Sequence, residues 1–237
     1  MSTGHIVASY DGELAQLHRA ITDMGRLAST QLGRALKATL DRDGDLAASV
    51  MADDARIDML EQQIENQTLK LLALRAPVGR DLREVVAALK ISNNLERIGD
   101  FAANVAKRSL ALNQMPEVEL TRSLRRIGEA ANDMLTRVVT AYADGDAAAA
   151  LAVRDADSEV DLAYTALFRE LLTYMMESPQ RITACTHLMF AAKNLERIGD
   201  HATNIAETLC FQILGQAPDA ERAKGDDTAL TIVTPSA

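Results

Sequence analysis

Eight carboxylates in this 237-residue sequence stand in pairs four residues apart: Asp54 with Asp58, Glu96 with Asp100, Asp157 with Asp161, and Glu196 with Asp200. On a helix, an i, i+4 pair shares one face. The pairs are also placed symmetrically about turn signals. The midpoint between the first two falls at Pro77, and that between the last two falls between Ser178 and Pro179. In an antiparallel hairpin, residues equidistant from the turn lie at one level, so four carboxyl groups meet at one height in each half of the chain. Two like charges ~5 Å apart cost about 3 kcal/mol at an effective dielectric near 20. Protons relieve that cost by raising carboxyl pKa values, and a bound cation relieves it with oxygen ligands. The bland alternative is a set of solvated surface acids. Spacing fixes the level of the pairs and leaves their azimuth open.

The neighbours of these acids repeat as well. Asn-Leu-Glu-Arg-Ile-Gly-Asp occupies residues 94–100 and again 194–200, and Asn104 and Asn204 keep the register. Arg97 and Arg197 stand beside the acids as candidate ion-pair partners. Gly99 and Gly199 put the poorest helix former but proline in mid-helix, which points to close helix approach. Other positions differ between the halves: Asn93 becomes Lys193, Phe101 becomes His201, Ala87 becomes His187, and Glu61 and Glu65 become Tyr164 and Phe168. His201 therefore reads as a second-shell or structural residue, His187 as partly buried, and Glu61 and Glu65 as solvated. A dinuclear iron enzyme of the helical-bundle kind needs Glu-x-x-His on two helices. The third position after Glu96 and Glu196 is glycine, so a di-metal carboxylate enzyme is a minor alternative.

The elements that carry these residues are helices. Residues 13–40 show apolar positions at Leu14, Leu17, Ile21, Met24, Ala28, Leu32, Ala35 and Thr39, in steps of three and four. A turn at Asp43-Gly44-Asp45 leads to a second stripe through Val50, Ile57, Leu60, Ile64, Leu71 and Leu74. The third, over residues 80–112, reads Ala87, Ile91, Leu95, Ile98, Ala102 and Val105. With that stripe inward, Glu96 and Asp100 point outward together with Asn93 and Asn104, which places the site on the bundle surface. After Pro116 the order returns, over residues 119–143, 147–177 and 179–214. Asp144-Gly145-Asp146 repeats the turn, and Ser178-Pro179 supplies an N-cap hydroxyl with proline at the first helical position. Helices of about thirty residues are on the order of 45 Å long. The expected fold is all-α, two tandem three-helix bundles over residues 1–114 and 115–215, with a disordered tail over 216–237.

Composition agrees. Hydrophobic residues make up 48% of the chain, aromatics 3%, and Trp is absent, which disfavours a β-rich fold. A formal net charge of -9 without a basic run gives no footprint for nucleic acid or an anionic membrane. No eighteen-residue apolar run exists to insert into a bilayer, and the first residues lack a signal-peptide core. Two cysteines, Cys185 and Cys210, are too few for a disulfide framework. A cytoplasmic protein is expected.

Two three-helix bundles, each with Asp-x-x-x-Asp on the middle helix and Asn-Leu-Glu-Arg-Ile-Gly-Asp on the third, resemble the PhoU family of phosphate-specific transport accessory proteins. The likeness spans residues 10–214. It implies that Asp54, Asp58, Glu96, Asp100, Asp157, Asp161, Glu196 and Asp200 are metal ligands of multinuclear iron or zinc clusters, with Mg or Ca left open. Asn93, Asn104, Asn204, Arg97, Arg197 and His201 would be second shell. It further implies a non-enzymatic negative regulator of the phosphate-starvation response and of phosphate uptake, often a homodimer. Such a regulator couples the ATPase subunit of the phosphate ABC transporter to a phosphate sensor histidine kinase. A metal-free helical-repeat scaffold is the competing reading.

Overall fold

The computed structural model describes residues 3–116, 118, 121–216, 218 and 228; most of the expected tail over 216–237 lies outside them. Among the described residues every regular element is helical: α1 (Thr3–Leu40), α2 (Gly44–Asp53), α3 (Ala55–Arg75), α4 (Gly79–Leu112), α5 (Thr121–Asp144), α6 (Ala147–Glu177) and α7 (Ile182–Leu214), with a 3-10 turn at Pro179–Arg181. None of them is long and apolar enough to cross a membrane.

The apolar stripes bury as their spacing requires. Leu17, Ile21, Met24, Ala28, Leu32 and Ala35 of α1 meet Ile91, Leu95, Ile98, Ala102 and Val105 of α4, all at most 2% exposed. Each large aliphatic side chain so buried contributes about 1.5–3 kcal/mol. Leu74 departs from its stripe and stands exposed at the end of α3. The first bundle is α1, α2–α3 and α4; the second is α5, α6 and α7. They share one core and lie side by side, with α4 against α7 and α1 against α5.

The α1–α5 seam is reciprocal. A Cβ on Gly25 would come 2.5 Å from Val139 Cγ2, and one on Gly128 would come 2.6 Å from Leu36 Cδ1. Gly128 follows Gly25 by 103 residues, as Val139 follows Leu36, so the two halves make the same contact in opposite senses. This offset corrects the expected turn alignment. The partner of Asp144-Gly145-Asp146 is Asp41-Arg42-Asp43: Arg42 (φ 55) and Gly145 (φ 66) both take the left-handed conformation. Asp43 N and Asp146 N donate to Ala38 O and Ala141 O, each at 2.9 Å. Asp43 and Asp146 are the N-caps of α2 and α6, accepting from Leu46 N and from Ala148 N and Ala149 N respectively. Gly44, expected in the turn, is the first residue of α2.

Two further expectations are corrected. The second helix of the first copy is interrupted at Asp54, where Ile57 N bonds Asp54 O at 2.8 Å in an i, i+3 pattern, whereas α6 runs unbroken through Asp157. The Ser178 hydroxyl caps no backbone amide; it donates to Gln180 Oε1 at 2.8 Å, and Pro179 opens the 3-10 turn before α7.

Candidate functional site

The carboxylates do meet at one level. Asp54 Oδ1 would lie 3.2 Å from a Cβ on Gly99, and Asp157 Oδ1 would lie 3.1 Å from one on Gly199. Each mid-helix glycine therefore admits an aspartate of the neighbouring helix, with Ile57 and Val160 packed beside it. The close approach expected of Gly99 and Gly199 is present in both halves.

In the first copy, Asp54 is half-buried and its Oδ1 accepts from Gln31 Nε2 at 2.9 Å. Burial raises its pKa, Gln31 opposes that, and the charges of Asp100 and Asp58 add to it. Glu96 is likewise raised, first by burial and then by Asp100, with Arg97 opposing and Asp58 and Glu61 adding. Its Oε2 is buried with no hydrogen-bond partner and lies 3.5 Å from Arg97 Nε. Asp100 Oδ2 is 3.3 Å from Arg97 Nη1, and Asp58 is exposed. Glu61, read from sequence as solvated, is partly buried, and its pKa is raised by burial and by Glu65 and Asp58. An open groove lined by Glu61, Glu65, Lys90, Asn93, Asn94 and Thr208 adjoins the cluster.

The second copy is built differently. Asp157 and Asp161 are each 2% exposed and Glu196 is 4% exposed, which overturns the expected open surface location for this half. Lys193 Nζ donates to Glu196 Oε1 at 2.7 Å and sits 4.9 Å from the centroid of the Tyr164 ring. Asp200 is half-buried at the edge of the group.

The flanking residues divide. Asn93 is exposed on the groove, and Asn104 and Asn204 are exposed one turn beyond the acids. His201 is held in the α4–α7 seam by Asn94 Oδ1 at 2.7 Å and by the Phe101 ring at 5.5 Å between centroids. Burial keeps its pKa low; Asp200 opposes, while Arg97 and Arg197 reinforce the depression. Arg197 lies over Phe101 at 5.6 Å, and His187 Nδ1 is 3.4 Å from Arg108 Nη1. Gln31 is a buried polar residue beside the α1 stripe, and its polar sequence neighbours Ser29 and Thr30 leave it without a distinguishing signal.

A cation suits the first cluster by donor type, since five carboxylates repel one another there and Glu96 Oε2 has no hydrogen bond. Among the described residues, however, no three Asp, Glu, His or Cys side chains already converge as a bound ion would require. The exposed Asp58 and the rim residue Glu61 would have to turn inward. In the second cluster the Lys193 ammonium lies against Glu196 Oε1, a cation supplied by the chain itself.

Residues 21–109 and 124–209 each match the PhoU domain. The phosphate-specific transport system accessory protein PhoU homologue of Caulobacter vibrioides is 50% identical over 225 residues, 94% of this chain and 98% of the relative. Its counterpart in Xylella fastidiosa is 50% identical over 95% of this chain and 93% of the relative. The crystal structure of PhoU from Pseudomonas aeruginosa superposes with a TM-score of 0.85 at 36% identity, covering 87% of this chain and all of that one. The chain belongs to the PhoU family.

Proposed function

We propose that this protein is a cytoplasmic, non-enzymatic regulator that restrains phosphate uptake and the phosphate-starvation response. It acts as a homodimeric adaptor between the ATPase subunit of the phosphate ABC transporter and a sensor histidine kinase. The observation that carries this reading is half-identity, along nearly the whole of both chains, to relatives named as accessory proteins of the phosphate-specific transport system. Two features support an adaptor. The acidic chain, at net charge -9, suits protein surfaces better than phosphate itself. The end of the α3–α4 hairpin presents Leu74, Val78 and Leu82 at 68%, 79% and 40% exposure, apolar area of the kind that partner docking covers.

In this reading the first-copy cluster of Asp54, Asp58, Glu96 and Asp100, joined by Glu61, holds a transition metal, iron or zinc. The ion ties α3 to α4 beside the groove and competes with protons at Asp54, Glu61 and Glu96, whose pKa values are raised. Capture of the transporter ATPase and the sensor kinase on immobilised protein, at high and at low phosphate, tests the adaptor role. Retention of both at high phosphate is the expected result; retention of neither under either condition contradicts it.

A further inference from the structure

Three carboxylates buried as deeply as Asp157, Asp161 and Glu196 demand a counter-charge, because an ionised carboxylate withdrawn from water costs several kcal/mol. The first copy answers this demand by staying open: Asp58 is exposed, and the side chains of Glu96 and Asp100 keep 23% and 37% of their accessible surface. The second copy cannot. Its Glu196 side chain is 5% exposed, and the Lys193 ammonium lies 2.7 Å from its Oε1.

Three replacements beside the acids make the second group less negative: Glu61 to Tyr164, Glu65 to Phe168 and Asn93 to Lys193. The first copy gathers six acids, counting Glu61 and Glu65, with Arg97 beside Glu96 and Asp100 and Lys90 on the groove. The second replaces Glu61 by Tyr164 and Glu65 by Phe168, leaving four acids, with the Lys193 ammonium bonded to Glu196. Tyr164 then presents its ring to Lys193 Nζ at 4.9 Å, a second favourable contact for the same ammonium. The lysine side chain is 34% exposed, so it lies across the outer side of a carboxylate that is itself covered.

We propose that Lys193 is a built-in cation that takes the place of a metal ion in the second cluster, so that uptake of cations from solution is confined to the first copy. The part of this inference that concerns the first copy rests on the cation reading given above; the part that concerns Lys193 does not. Two halves of one chain would then hold equivalent hairpins together in different ways, one responsive to a dissociable ion and one permanently closed.

The test uses the full chain stripped of metal by chelator and titrated with Zn²⁺, read by calorimetry, metal analysis and thermal melts. The Glu96→Ala/Asp100→Ala variant silences the first copy and is expected to bind no zinc. Adding Lys193→Asn, which restores the residue found at 93, is expected to create one zinc site per chain. It should also produce a Tm rise of roughly 5–10 °C at a hundredfold excess over Kd. Lys193→Arg in the same background keeps the charge and is expected to bind none. If the Lys193→Asn protein is unfolded without metal, zinc-dependent refolding is the expected result. Zinc bound by Glu96→Ala/Asp100→Ala with Lys193 intact overturns the proposal, as does a Lys193→Asn protein that gains neither zinc nor zinc-dependent folding. Should the first copy bind no cation at all, the parent chain takes up no zinc while the Lys193→Asn variants still gain a site, which separates the two failures.

Discussion

At the scale of single residues, the two acidic groups differ in what covers them: Glu196 lies under the Lys193 ammonium, whereas Asp58 stands in solvent. The equal spacing of the acidic pairs about Pro77 and Ser178–Pro179 puts them at one level, and the structure sets Asp54 beside Gly99 and Asp157 beside Gly199. Depth was not recoverable, because it depends on which residues cover the acids: Tyr164 and Lys193 over one group, open groove beside the other. The raised pKa values of Asp54 and Glu96 carry a sign that can be checked. In the metal-free folded chain these groups hold protons more tightly than when unfolded, so their contribution to stability is fully present below the ordinary carboxylate pKa and is lost as pH rises from there through their raised values. Glu96→Gln should therefore stabilise the metal-free protein at neutral pH by about 0.5 kcal/mol after solvent screening, and by less at pH 4. Thermal melts at the two pH values measure this; an equal loss of Tm at both would contradict it. For the same reason, zinc affinity of the first copy should fall on acidification, since the ion must displace those protons.

At the scale of elements, periodicity delivered the long helices and their inward faces, from Leu17 to Ala35 and from Ile91 to Val105. It did not deliver the register of the first turn. Asp-Gly at 43–44 is a strong turn signal, yet the left-handed residue is Arg42, whose guanidinium donates to Leu112 O at 2.9 Å and Met115 O at 2.7 Å. Those bonds hold a side-chain-bearing residue where glycine is the default. Small residues at the seams were informative where two of them matched. Gly25→Ala would drive a Cβ to 2.5 Å from Val139, and should cost about 1–3 kcal/mol. Val139→Ala in the same chain should return part of that loss, which a double-mutant cycle by chemical denaturation measures. Gly99→Ala meets Ile57 Cδ1 at 2.9 Å and should be destabilising to a similar extent. It should also weaken zinc binding by displacing Asp54, as calorimetry would show.

At the scale of the whole molecule, duplication predicted two similar bundles, and the structure joins them through one core. The reciprocal Gly25–Val139 and Gly128–Leu36 contacts preserve the equivalence of the halves, while Lys193, Tyr164 and the unbroken α6 abolish it around the acids. An adaptor gains from such inequality, because one half can respond to a cation while the other stays fixed. The central claim, restraint of the phosphate-starvation response, is tested most directly by a phosphate-regulated reporter in cells lacking this chain and in cells complemented with it. The expected result is a reporter that stays high in abundant phosphate without the chain and is repressed when the chain is restored. A reporter that phosphate represses equally well with and without the chain would contradict it.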